Sequence, residues 1–225
     1  MGIRENIKNI KNILGYAPVK IVAVSKTHPV EMIKEAYNTG QRLFGENKVQ
    51  ELVIKHDELK DYDIKWHLIG HLQTNKVKYI AEFVDLIHSV DSLKLLIEIN
   101  KQASKYDRVI DCLLQFYIAK EETKFGLNID EANVILNSSE YKGMRNIRIC
   151  GVMGMASFSD NMDLVRNEFR ELKQIFEYLK QNHFAETDSF CELSMGMSSD
   201  WKIAVEEGST IIRVGSNIFG TRIYT

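Results

Sequence analysis

The stretch Lys20-Ile21-Val22-Ala23-Val24-Ser25-Lys26-Thr27-His28-Pro29 decides the fold reading. An apolar, β-branched run ends in a lysine, and a proline follows where a helix can open. Side chains alternate along a strand, so Val22, Val24 and Lys26 share one face. Pro29 suits a first helical position after Thr27 and His28. The unit therefore reads strand, loop, helix. Seven later runs repeat it: Arg42–Glu46, Lys65–Gly70, Leu86–Val90, Asp111–Ile118, Ile147–Met155, Phe190–Met195 and Ile211–Val214. Between them lie polar stretches with helical periodicity.

Eight strands alternating with helices predict an α/β protein with a parallel sheet, and the count of eight predicts closure into a (β/α)8 TIM barrel. An open doubly wound sheet is the alternative. The barrel ranks higher because the chemistry below needs the first and last strands as neighbours. Ahead of the barrel, Ile3, Ile7, Ile10 and Leu14 recur at helical spacing and Gly15 can stop the run, which predicts an extra N-terminal helix. Thr74, Ser92, Asp130, Asp163 and Asp200 stand where helix N-caps are expected, and Gly40 and Gly208 where helices should end.

The chain has 225 residues and only two prolines, Pro18 and Pro29, with no Pro/Gly/Ser linker at which to divide it. One barrel domain over residues 1–225 is the expectation. A net charge of −2 points away from nucleic acid and from anionic membrane surfaces. The charged start has no apolar core of a signal peptide, and no run approaches membrane-spanning length, so a cytoplasmic protein is expected. Cys112, Cys150 and Cys191 are scattered and odd in number, which reads as buried reduced thiols. Lys76 and Lys78 read as a solvated helix face.

In such barrels the chemistry sits where strands run out into βα loops. Lys26 then stands at the mouth, where partial desolvation favours a nucleophilic, imine-forming amine. The segments after the seventh and eighth strands, Ser194-Met195-Gly196-Met197-Ser198-Ser199-Asp200 and Arg213-Val214-Gly215-Ser216-Asn217, offer glycine, small hydroxyls and free backbone N–H groups before a helix. That is what an anion such as a phosphate needs. Arg213 shares a face with Ile211 and, if that face is interior, points into the mouth; an ion pair with Glu46 is the competing reading. His67 and His71 alternate onto one face but lack a third ligand, so they read as pocket histidines and no metal is expected. Met153, Met155, Met195 and Met197 read as soft packing around the mouth. The loop after the fifth strand adds Lys120 and Lys124. On physics alone, these residues also suit an enzyme acting on a sugar phosphate through an imine on Lys26.

Five segments in order carry a resemblance: Val22-Ala23-Val24-Ser25-Lys26-Thr27, Phe44-Gly45-Glu46-Asn47, Trp66 through Lys76, Leu193 through Asp200, and Ile212 through Gly220. Together they resemble the pyridoxal phosphate homeostasis protein family over nearly the whole chain, and more distantly the barrel of alanine racemases. The resemblance implies pyridoxal 5′-phosphate held as an imine on Lys26. Asn47 would lie beside the ring, Ser198, Gly215 and Ser216 would cradle the phosphate, and Arg213 would face the pyridine nitrogen. Ser216 stands where many members have Thr, Lys48 where a Tyr often follows the Asn, and Ser199 where a Gly is common. The full expected cofactor-binding set is Lys26, Asn47, His67, Met195, Ser198, Ser199, Arg213, Gly215 and Ser216.

Two functions follow from the resemblance. A guanidinium only donates hydrogen bonds, so a ring nitrogen facing Arg213 stays unprotonated and makes a weak electron sink. Racemases add a second base from a further domain; here the sequence stops at Thr225, just past the eighth strand, and no source for that base is expected. A monomeric carrier that buffers or delivers the cofactor to apo-enzymes is therefore favoured, with Lys120 or Lys124 as a relay amine. The alternative is a pyridoxal-dependent racemase or decarboxylase.

Overall fold

Strand β1 (Lys20–Val24) is hydrogen-bonded on one side to β2 (Leu43–Glu46) and on the other to β8 (Ile211–Val214), which closes the sheet. In this computed structural model, which describes residues 2–119 and 126–220, every pairing from β1 to β8 is parallel and the order is sequential. The remaining strands are β3 (Lys65–Leu68), β4 (Leu86–Val90), β5 (Ile110–Tyr117), β6 (Ile147–Met155) and β7 (Glu192–Ser194). The expected (β/α)8 barrel is thus the observed one, and the open sheet is excluded.

The helices outside the barrel are α1 (Ile3–Leu14), α2 (Val30–Tyr37), α3 (Val49–Glu58), α4 (Leu93–Ser104), α5 (Ile129–Asn137), α6 (Ser139–Gly143), α7 (Met162–His183), α8 (Trp201–Glu206) and α9 (Ser216–Phe219). A 3₁₀ turn over Thr74–Tyr79 joins β3 to β4. The outward faces of the strands and the inward faces of these helices form the main apolar core, with Phe44, Trp66, Phe116 and Phe169 buried in it. A smaller cluster of Val22, Leu86, Leu113, Cys150, Met153 and Ile211 fills the barrel interior.

The extra helix forms as the spacing predicts. Ile3, Ile7 and Ile10 are buried, and Gly15 takes a positive φ of 58° to end it. Asn6 Nδ2 donates to Ile218 O at 2.9 Å, tying α1 to α9 beside the last strand. Burying each isoleucine contributes roughly 1.5–3 kcal/mol, so α1 is part of the barrel wall and not an appendage.

Helix starts needed correction. Ser92 caps α4 as expected, accepting from Leu95 N. Asn128 caps α5, because it and Glu131 satisfy each other's orphan N–H groups in a capping box; Asp130 lies in the first turn. Asn161 likewise caps α7, with Asp163 inside it. Thr74 begins the 3₁₀ turn without capping it, and Pro29 sits one residue before α2. Gly40 and Gly208 do follow helices with positive φ. Cys112 and Cys150 are buried, but Cys191 is exposed, because it precedes β7 at the rim of the barrel. Among the described residues no helix is long and apolar enough to cross a membrane.

Candidate functional site

A cavity of about 410 Å³ opens at the end of the barrel where the strands run out. Lys26, Asn47, Ser198, Ser199, Arg213, Gly215 and Ser216 all line it, so seven of the nine expected residues are brought together from four separate segments of the chain. Val24, Ile69, Met155, Phe158, Met197 and Asn217 complete the lining. Asn47 reaches the mouth because Gly70 lets two loops approach: a Cβ at Gly70 would lie 2.4 Å from Asn47 O.

Arg213 is buried at the base of this cavity. Its register opposite Val22 of β1 places it on the interior face. The competing ion pair with Glu46 does not form: Glu46 bonds to Ser25 and Lys55. Arg213 Nη1 instead donates to Ser194 Oγ at 2.6 Å and Nη2 to Gly154 O at 3.0 Å. Burial lowers the guanidinium pKa to about 10, with the charge of Asp200 opposing, so it stays a cation at neutral pH.

Behind Arg213 runs a chain of buried polar groups. Ser194 Oγ lies 3.0 Å from His88 Nδ1, and His88 Nε2 lies 2.9 Å from His67 Nδ1. Because Arg213 can only donate, Ser194 accepts from it and turns its own proton to His88. That assigns the proton of His88 to Nε2, from which it is donated to His67. Both histidines are held neutral, chiefly by burial. His67 is lowered to about 3 and His88 well below its usual value.

The loops after β7 and β8 are built to stay close. Gly196 has φ 95°, and a Cβ there would meet Ala204 Cβ at 2.6 Å and Trp201 Cα at 2.9 Å. Asp200 precedes α8, but its Oδ1 accepts from Met197 N at 2.5 Å and so closes the turn instead of capping the helix. Ser198 Oγ accepts from Gly215 N at 3.1 Å, which bridges the two loops. The amide N–H groups of Ser198, Ser199, Ser216 and Asn217 find no acceptor among the described residues. Unspent donors at a cavity wall, with a guanidinium nearby, suit an anion.

Two expected residues lie elsewhere. His67 is the third residue of β3 and lines a separate cavity of about 480 Å³ at the opposite end of the barrel, reaching the mouth only through His88, Ser194 and Arg213. Met195 points outward into the main core, while Met197 lines the mouth. Of the other methionines, Met155 lines the mouth and Met153 packs inside the barrel. His71 does not share a site with His67; it lies exposed, 3.4 Å from Asp91. Lys120 and Lys124 fall outside the described residues. Sequence reading missed Phe158 and Asn217, although both follow strand ends and the end-of-strand rule points at them. Phe158 is carried on a loop anchored by Ser157, whose N–H and hydroxyl donate to the buried Glu168 carboxylate at 2.7 Å each.

Comparison with known proteins places this geometry. The alanine racemase N-terminal domain family matches residues 2–223. The chain is 41% identical over 206 residues to the pyridoxal phosphate homeostasis protein of Aquifex aeolicus, covering 91% of this chain and 88% of that one. The chain belongs to the pyridoxal phosphate homeostasis protein family. A relative in this family from Schizosaccharomyces pombe is 38% identical over 91% of this chain and 84% of its own length. The structure of PipY from Synechococcus elongatus, solved with PLP bound, superposes with a TM-score of 0.87 at 36% identity, over 97% of this chain and 100% of that one. Clostridium difficile alanine racemase shares the fold, with a TM-score of 0.73 at 14% identity, over 99% of this chain and 56% of the racemase.

Proposed function

We propose that this chain is a pyridoxal 5′-phosphate-binding protein that serves the homeostasis or delivery of the cofactor, with Lys26 as the attachment point. The observation that carries it is the placing of one lysine amine, one buried guanidinium and four unspent backbone N–H donors around a single cavity. These groups fit the cofactor's aldehyde, ring nitrogen and phosphate respectively. When bound, pyridoxal phosphate supplies an aldehyde that a lysine amine captures reversibly, and a ring that can accept electrons.

The chain's own residues divide the work. Lys26 holds the ligand covalently. Ser198, Ser199, Gly215 and Ser216 receive the phosphate, and Asn47 covers the ring edge. Arg213 directs a proton donor at the ring nitrogen and keeps it an acceptor. Ser194, His88 and His67 hold Arg213 in that posture, and Met195 packs behind the phosphate loop. In this reading residues 1–225 are one cofactor-binding unit, a cytoplasmic monomer that passes its cofactor to apo forms of pyridoxal-dependent enzymes.

A carrier is favoured over a racemase or decarboxylase by the proton inventory. Among the described residues that line the cavity, Lys26 and Arg213 are the only side chains of Lys, Arg, His, Asp, Glu, Cys or Tyr, and a guanidinium keeps its proton, so no second base faces Lys26 there. A donor-only partner at the ring nitrogen also leaves carbanions poorly stabilised. Incubation of the loaded protein with L-alanine in deuterated water tests this. α-Proton exchange no faster than with free pyridoxal phosphate is expected; rapid exchange with racemisation would instead make the protein an enzyme.

A further inference from the structure

Lys26 sits between two residues that are fastened by groups lying outside the cavity. On one side, Ser25 O accepts from Lys55 Nζ at 2.7 Å, and Ser25 Oγ donates to Glu46 Oε1 at 2.7 Å. On the other side, Thr27 N donates to Glu51 Oε1 at 2.6 Å. Lys55 joins the two sides: its ammonium also donates to Glu46 Oε1 at 2.8 Å and to the same Glu51 oxygen at 2.7 Å. All three ammonium protons are thereby spent on the flanks of Lys26.

Thr27 has φ 67°, left-handed territory that a β-branched residue rarely enters. Such a conformation persists when its surroundings over-determine it. Two bonds do so here: His28 N donates to Ser25 O at 3.0 Å and closes the turn, and the Glu51 carboxylate takes the Thr27 N–H directly. Buried ion sets are poor sources of net stability, because desolvation offsets the attraction. Lys55 and Glu46 are both buried, and Glu46 Oε2 has no partner among the described residues. The cluster thus spends more than a fold needs, at the two residues that aim one lysine.

We propose that Glu51, through Thr27 N–H and Lys55, is a positioning residue for Lys26: it holds the strained turn that directs the lysine amine into the mouth. The ligand readout below rests on the functional reading given above; the apo readouts do not.

The test compares Glu51→Ala with Glu51→Gln in the full chain. Glu51 is a quarter exposed, so both variants should melt within a few degrees of wild type. In absorbance titration with pyridoxal 5′-phosphate, Glu51→Ala should bind about ten-fold more weakly or worse, because a misdirected amine loses its near-attack geometry. Glu51→Gln should stay within about three-fold, since an amide oxygen still accepts both N–H groups. In the apo protein, Thr27 amide exchange should speed up in the Ala variant and return to the wild-type rate in the Gln variant. The share of Lys26 acylated by an amine-reactive ester, mapped by peptide mass, should change in the Ala variant alone. Wild-type affinity with wild-type labelling in Glu51→Ala overturns the proposal, as does equal loss in Ala and Gln. If wild type takes up no pyridoxal phosphate, the functional reading fails, and the exchange and labelling data still decide the role of Glu51.

Discussion

Arg213 Nη1 donates to Ser194 Oγ at 2.6 Å, and this one bond couples the mouth of the barrel to the histidines beneath it. The serine accepts at one lone pair and donates onward, so the cation at the mouth and the neutral imidazoles in the interior are held by a single directed chain. Removing the cation exposes what it satisfies. Arg213→Met leaves Ser194 Oγ and Gly154 O buried with one partner fewer each. Urea denaturation should show a loss of about 2–4 kcal/mol, accompanied by weaker uptake of pyridoxal phosphate. A variant as stable as wild type would mean that the cation is not integral to the chain.

The same chain gives the fold a signature in acid. His67 and His88 are kept neutral by burial, His67 down to about 3. In the unfolded chain a histidine titrates near 6.5. Below that pH the unfolded state binds protons that the folded state refuses, so stability is full above about 6.5 and is lost as pH falls toward about 3. Each histidine adds a slope on the order of 1.4 kcal/mol per pH unit. Urea midpoints taken from pH 7 to 4 should therefore fall less steeply in His88→Gln than in wild type. Parallel curves would contradict the assignment.

Gly196 is required by its backbone and by its neighbours. Its φ of 95° and the 2.6 Å approach of Ala204 leave no room for a Cβ. Gly196→Ala should cost roughly 1–3 kcal/mol from strain alone and displace the Met197–Asp200 turn, weakening phosphate binding. Gly143→Ala has open space and no positive φ, and should change stability by less than about 0.5 kcal/mol. A Gly196→Ala variant that behaves like Gly143→Ala would show that the turn can be rebuilt without glycine.

What the sequence makes legible follows the range of the physics involved. Alternation along β8 fixes the face of Arg213, and the end-of-strand rule puts Lys26, in the turn just past β1, at the same end of the barrel. Parity fixes a face but not a depth, which is why His67 seemed a mouth residue and lies near the opposite end. Parity also stops with the strand: β3 ends at Leu68, so His71 escapes the alternation. Ser194 at the end of β7 faces the interior, so alternation itself turns Met195 outward. The partners Ser194 of β7, His88 of β4, and Glu51 and Lys55 of α3 come from three elements far apart in the chain, and no local pattern announces the contacts that the closed barrel creates between them and the mouth.

Lys26 is the proposed attachment point of the cofactor, and its modification can be read directly. Purified protein is loaded with pyridoxal 5′-phosphate, reduced with borohydride and mapped by peptide mass. A pyridoxyl adduct on Lys26 is expected, absent from the Lys26→Ala variant. An unmodified Lys26, or an adduct spread over surface lysines with Lys26 spared, would contradict it.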